Sequence, residues 1–324
     1  MENLRTANRV TPLSKASLIS LETAVLRAPS SSVDTMRPAA TTPSTTVEAG
    51  PAPDVLFTSA RDVLARIETL EGDALVVGDV SASDFRVLER QRDVSGRKYR
   101  LFYLSDVSCL IITVPTFKHE TIHRMLWFEI LLQVVQMGLE GDWAETGGTT
   151  YPGPAGSSGE WDSGGFPWSQ RRRGDWPTLV VESGYTQTMP SLYAKMRWCF
   201  STSDHQVKVV ILAKIVRSEV RIHIEMWQEV VLRPGATATR WATGAGLGAP
   251  QPRCMQTVDV CWAGLVPFPQ ASQAARMDPG SFSVAGGPLT IDFALVFLRA
   301  PAMVEHDLVV ADDDLKVLAV RLWS

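Results

Sequence analysis

The stretch Trp176–Ile215 decides the fold, and it divides into WPTLVVESGY (176–185), TQTMPSLYAKMRWCFSTS (186–203) and, after Asp204, HQVKVVILAKI (205–215). Leu179–Val181 is an unbroken apolar run ending on Glu182, which predicts a strand buried on both faces with one carboxylate at its tip. A carboxylate there is costly unless a cation meets it. The second segment has helical spacing, with Leu192, Met196, Cys199 and Phe200 on one side and Lys195 at the border of that side. Lys195 is thereby positioned to turn back towards Glu182. Val207–Ile215 is a further β-branched run, so the unit reads strand, helix, strand, the connection that makes a parallel pair.

Upstream of this unit, Phe117–Leu139 has the pattern of a long core helix. Thr116 is its cap, Gly138 lies near its end, and apolar residues from Ile122 to Met137 cover more than half its circumference. The glycine-rich passage after it holds strand candidates at Ala144–Thr150 and Glu160–Trp168. Earlier still, Phe57–Leu70 predicts a peripheral helix, and RLFYL (100–104) and SCLIITV (108–114) two short strands. Arg86–Arg100 is basic enough to track a phosphate backbone, while its interleaved Glu89 and Asp93 suit a solvated hairpin tip. Downstream, Val220–Glu229 alternates strictly and predicts an antiparallel hairpin with the preceding strand. Arg233–Gly287 reads as a Gly, Ala and Pro-rich excursion with one strand near Met255–Trp262, Leu289–Leu298 as a strand, and Asp312–Trp323 as a final helix with Leu315, Leu318, Leu322 and Trp323 facing inward.

The 324 residues can hold one large domain or two small ones, and 45% hydrophobic content suffices for a packed core. A net charge of -4 gives no global attraction to nucleic acid or anionic membrane. The four cysteines, Cys109, Cys199, Cys254 and Cys261, contain no CxxC pair and read as free thiols in a reducing compartment. No apolar run reaches the roughly 18 residues that span a bilayer, so a soluble intracellular protein, cytoplasmic or nuclear, is expected. Residues 1–52 are rich in Ser, Thr, Pro and Ala and read as a disordered tail. Arg5, Arg9, Lys15 and Arg27 give it a faint transit-peptide look that Glu2 and Glu22 oppose.

Two constellations carry chemistry. His119-Glu120-Thr121-Ile122-His123 matches HExxH, in which two His on one helical face hold zinc and Glu activates water, the reading of a zinc metallopeptidase. It sits in a first helical turn without an obvious third ligand, and His119 and Glu120 equally suit a plain helix start. The second constellation is Asp162, Glu182 and Lys195. Two carboxylates from neighbouring strands can hold Mg²⁺, with a Lys orienting the attacking water, which is the chemistry of phosphodiester hydrolysis. The other reading is a structural Glu182–Lys195 ion pair with Asp162 as a turn residue.

Taken in order, PTFKHE (115–120), MGL (137–139), GGTT (147–150), GEWDSGGFP (159–167), WPTLVVESGY (176–185), LYAKMRW (192–198) and VKVVILAKI (207–215) resemble the Uma-type family of restriction-endonuclease-like proteins, within the PD-(D/E)XK nuclease superfamily. The fungal branch of that family is the nearest in pattern. The resemblance covers residues 100 to 230 and continues weakly through PLTIDFALVFLRAP (288–301) and EHDLVVADDDL (305–315). It implies an α/β fold with a restriction-endonuclease-like αβββαβ core and a mixed central sheet. Asp162 falls on the aspartate of the PD motif, with Trp161 in place of the proline, and Glu182 on the glutamate of the second motif. Gly184 stands where the usual lysine would be, and Lys195 falls on the following helix, where the family carries its basic residue. His119 and Glu120 match the family's HE at the start of the first core helix, which makes His123 incidental.

The expectation is thus one restriction-endonuclease-like domain over 53–324, extended by a hairpin and a C-terminal strand and helix. As a nuclease it would bind Mg²⁺ or Mn²⁺ through Asp162, Glu182 and Glu120, use Lys195 in catalysis, and contact nucleic acid through Arg171, Arg172 and Arg173. The alternative is a catalytically inactive interaction module of the same fold. A homodimer is expected by analogy with the fold.

Overall fold

The computed structural model describes residues 50–231 and 249–324. Apart from residues 50–52, the tail expected at the amino terminus lies outside them. The first elements are β1 (Val55–Leu56), α1 (Ala60–Glu68), β2 (Ala74–Gly78), α2 (Ala82–Ser95), β3 (Arg100–Leu104) and β4 (Cys109–Thr113). Ser59 and Ser81 cap the two helices by accepting from the Asp62 and Asp84 N–H groups, and Gly96, at φ +63°, ends α2 in the left-handed conformation glycine favours. The charged stretch from Arg86 is therefore largely helix, which corrects the hairpin tip. Its helix buries only Phe85 and Leu88, too few to print a clear period on the sequence.

Next come α3 (Phe117–Gln136), β5 (Trp143–Glu145), β6 (Thr150–Pro152), β7 (Ser158–Glu160), β8 (Ser163–Pro167), β9 (Leu179–Gly184), α4 (Met189–Thr202), β10 (Val209–Val216) and β11 (Arg221–Val230). Thr116 caps α3 as the sequence suggests, accepting from the His119 N–H. The chain closes with β12 (Gln251–Trp262), α5 (Gln273–Arg276), β13 (Phe282–Ala285), β14 (Leu289–Ile291), α6 (Phe293–Phe297), β15 (Leu308–Val310) and α7 (Asp312–Trp323). Two further corrections arise here. The excursion expected over 233–287 contains β12 and β13, paired in register from Asp259↔Ala285 to Trp262↔Phe282; residues 232–248 lie outside the described residues. The strand expected over Leu289–Leu298 stops at Ile291, because Asp292 accepts from the Ala294 and Leu295 N–H groups and starts α6.

Among the described residues the strands form two mixed sheets and one antiparallel pair, β14 with β15. The larger has the order β13-β12-β11-β10-β9-β8-β5, in which β9 and β10 run parallel, from Leu179↔Val209 to Gly184↔Lys214, and every other pair is antiparallel. The smaller has the order β1-β2-β4-β3-β7-β6. Three cores follow. One face of the larger sheet packs under α3, α6 and α7 through Leu179, Val181, Ile122, Ile130, Phe293 and Leu318. Its other face shares a core with α4 and the smaller sheet through Val180, Leu212, Met196, Phe102 and Ile111. The outer face of the smaller sheet takes α1 and α2 through Val63, Phe85 and Leu88. Successive β9 side chains therefore point into different cores, as strand alternation requires.

Candidate functional site

The ends of β9, α3 and α4 bring Glu182, His119 and Lys195 together beneath the smaller sheet. Lys195, buried on α4, donates to Glu182 Oε2 at 2.7 Å, approaches Thr113 Oγ1 at 3.5 Å, and lies 5.3 Å from the centre of the Phe102 ring. Glu182 has no solvent exposure. Its other oxygen, Oε1, accepts from the Asp162 backbone N–H at 3.1 Å. Burial pushes the Glu182 carboxyl up to about 7 against the opposing pull of Lys195.

Asp162 lies just before β8, and its side chain is sealed. Oδ2 accepts from the Ser183 N–H and the Ser183 hydroxyl, each at 2.8 Å. Oδ1 meets His119 Nε2 at 3.0 Å and the Arg100 guanidinium at 3.2 Å. Burial would raise this carboxyl, but the His119 and Arg100 charges hold it well below the usual carboxylate range. Asp162 and Glu182 are thus neighbours with opposite titration behaviour: one keeps two cations, the other has a single Lys.

His119 has a carboxylate on each side. Nδ1 faces Asp73 Oδ2 at 2.9 Å, and Nε2 faces Asp162. Burial works against its charge, yet the two carboxylates raise its pKa to about 10. Asp73 comes from the loop before β2 and also accepts from the backbone N–H groups of Tyr185, Thr186 and Gln187, at 2.7, 2.6 and 3.1 Å, and from the Thr186 hydroxyl. It therefore fixes the turn that follows β9. Burial would raise the Asp73 carboxyl, and these donors with His119 outweigh it and hold it far below normal.

The network reaches solvent at Glu120. Glu120 Oε1 pairs with Arg100 at 3.1 Å and with His123 Nε2 at 3.3 Å, and Oε2 accepts from the exposed Arg124 at 2.6 Å. His123, then Arg124 and Arg100, hold the Glu120 carboxyl far below normal. His123 is buried, with Nδ1 3.0 Å from Ser163 Oγ, so it is a built part of the site rather than an incidental residue. His119, Glu120 and His123 can each offer one ligand atom within 4.8 Å of the others. Both ring nitrogens of His119, however, are already turned to carboxylates.

Asp162, Glu182 and Lys195 thus meet, and Glu120 lies at the rim, on the far side of Arg100. The arginines before β9 stand apart from this centre. Arg171 is engaged with Gln206, donating to its side chain at 2.8 Å and its carbonyl at 3.1 Å, while Arg172 and Arg173 are exposed. Sequence reasoning missed Asp73 and Arg100, whose partners lie far off in the chain. Trp161, which replaces the motif proline, is almost fully buried against Phe102 and Trp198, with ring centres 5.4 and 5.8 Å away. Trp198 in turn meets Trp176 at 5.7 Å, which stacks on Tyr151 at 4.6 Å. This aromatic cluster walls the Lys195 side of the site.

No family model matches this chain, and no curated protein matches it. A solved structure similar to it is that of "a putative nuclease belonging to DUF820" from Anabaena variabilis, at 14% sequence identity and a TM-score of 0.32, over 59% of this chain and 89% of that chain. No helix among the described residues is long and apolar enough to cross a membrane.

Proposed function

We propose that this chain is a restriction-endonuclease-like protein in which the nuclease carboxylates have become a closed charge network, so that the fold serves as a binding module. The run α3, β5, β8, β9, α4, β10, with β11 antiparallel beyond it, supports the αβββαβ reading of the core. The observation that carries the loss of catalysis is the saturation of the carboxylates. Each oxygen of Asp162 and Glu182 is met by a protein donor or cation, and both side chains are sealed beneath the smaller sheet. Mg²⁺ requires oxygens it can share with its own waters and with a substrate phosphate. These residues, as arranged, do not fit it. A zinc peptidase has less support, since His119 cannot turn a nitrogen to metal without stranding Asp73 or Asp162.

A second reading, an Mg²⁺-dependent nuclease, is favoured by one observation: Lys195 sits 2.7 Å from Glu182, with Asp162 adjacent through its backbone N–H. In that reading Asp162 and Glu182, with Glu120 at the rim, would hold the ion and Lys195 would orient water near a phosphodiester. Arg100 would have to leave Asp162 first. Calorimetric titration with Mg²⁺ and Mn²⁺ on the wild type and on Glu182→Ala, with plasmid nicking on the same samples, separates the two. The closed network gives no saturable heat and no nicking. Saturable binding that vanishes in the variant, accompanied by nicking, would overturn it.

A further inference from the structure

The carboxyl ends of the parallel pair β9 and β10 open onto a wide, open cavity of about 820 Å³, one wall of which, Tyr185 and Thr186, belongs to the turn that Asp73 fixes. Three cations from separate elements line it: Lys118 in the first turn of α3, Lys214 near the end of β10, and Arg217 just after it. Aromatic rings hold two of these cations, Lys118 and Arg217, in place. Lys118 Nζ lies 4.9 Å from the Trp323 ring centre and 5.8 Å from that of Tyr185, and the Arg217 guanidinium lies 5.0 Å from Tyr185. Phe268 completes the aromatic wall.

Ring faces orient a cation but leave its N–H groups free. Among the described residues, neither Lys118 nor Arg217 has a carboxylate partner, and Lys214 spends one N–H on the Tyr185 carbonyl at 2.7 Å. Burial and the Arg217 charge lower the pKa of Lys118, so each of these cations already feels the other. Lys214 feels the buried Asp73 carboxylate, which His119 and the turn after β9 already engage, and the charges of Lys118 and Arg217 are left for an anion to relieve. The cavity is wide open to solvent, so a ligand would rest against this wall rather than be enclosed by it.

We propose that this cavity binds the phosphate of a nucleotide through Lys118, Lys214 and Arg217, with Trp323, Tyr185 and Phe268 forming an apolar wall for the base. The nucleotide can be free or part of a strand, because the phosphate and base chemistry is the same. The site is independent of whether the buried carboxylates bind metal.

The test is calorimetry on the full chain with adenosine monophosphate as the probe, and with adenosine, inorganic phosphate and a short single-stranded oligonucleotide as parallel titrants. Adenosine monophosphate binds, more tightly than either adenosine or inorganic phosphate. Lys118→Ala and Arg217→Ala each weaken it about tenfold, as loss of a charge-assisted contact does. Arg217 is exposed, and an unchanged melting temperature in that variant confirms that the fold is intact. An oligonucleotide that binds more tightly than the mononucleotide identifies a strand as the source, and one that does not identifies the free nucleotide. No binding of either at millimolar concentration, unchanged affinity in both variants, or inorganic phosphate binding as tightly as the mononucleotide would each overturn the proposal.

Discussion

Lys195→Ala tests the closed network most directly. The wild-type Lys195 ammonium is 2.7 Å from Glu182, and both residues are at most 1% exposed. Removing it costs the packing of the buried stem, roughly 2 kcal/mol at about 0.8 kcal/mol per methylene, and it strands a carboxylate. Breaking a buried pair from one side costs about 3–5 kcal/mol in total, but protonation limits the charge part. Glu182 titrates near pH 7 with its Lys present and higher without it. At pH 5.5 the variant therefore carries a neutral Glu182 and loses mainly packing, about 2 kcal/mol, whereas at pH 8 up to about 1.4 kcal/mol is added, for a loss of about 3.4 kcal/mol. At about 2–4 °C per kcal/mol for domains of this order of size, the melting temperature falls by roughly 6 °C at pH 5.5 and by 10 °C or more at pH 8. Lys195→Met keeps the stem and separates the two parts: close to neutral at pH 5.5, destabilised by up to about 1.4 kcal/mol at pH 8. Thermal melts of the three proteins at both pH values provide the comparison. A Met variant as stable as wild type at pH 8 would refute the reasoning, because it would mean that water already solvates Glu182, as an open catalytic site requires.

The pH profile of the wild type should itself be asymmetric. Glu182, with its folded pKa raised to about 7, contributes stability that is complete below its unfolded value near 4.5 and fades as pH rises through 7. His119, raised to about 10, contributes stability that is complete below about 6.5 and fades as pH rises through 10. Asp73 and Asp162 act in the opposite sense, holding above the usual Asp range and failing as acid protonates them. Melting temperature should therefore peak near pH 5, and Glu182→Gln should flatten the slope between pH 5 and 7; a peak at pH 8 would contradict the assignment. Asp73→Asn should cost about 3 kcal/mol or more by denaturant titration, since a neutral amide cannot serve both His119 and three backbone donors. Thr116→Ala should cost about 1 kcal/mol through the lost cap of α3.

The sequence made the parallel unit legible because its signals are local. Leu179–Val181, the spacing of Leu192, Met196 and Phe200, and the β-branched run to Ile215 each lie within one element, and all the named residues are buried as the spacing demands. The Glu182–Lys195 pair was legible for the same reason, being 13 positions apart on adjoining elements. The smaller sheet was not. Its strands β3 and β4 were visible as apolar runs, but nothing local tells that Tyr103 pairs with Ser158 or that this sheet roofs the carboxylates. Asp73 stands two residues after Glu71 in the polar turn EGD, and its meaning lies in a turn more than a hundred residues on. Arg100 read as the end of a charged stretch because its partners, Glu120 and Asp162, sit on other elements.

That same Asp73 sets the order in which the chain can acquire its structure. Its acceptor contacts to Tyr185, Thr186 and Gln187 span 112 to 114 positions, and the smaller sheet completes itself only when β7, beyond α3, returns to β3. The smaller sheet has all its strands by Glu160, before β8 to β13 of the larger sheet are synthesised, but the Asp73 carboxylate beside β2 cannot be satisfied until the turn after β9 exists. Such long-range closure slows folding and makes it all-or-none. A fragment cut to the motif-bearing residues 100–230 would contain Asp162, Glu182 and Lys195, yet it would leave His119 without Asp73 and the turn after β9 without its acceptor. It should emerge unfolded and prone to aggregate rather than as a minimal core.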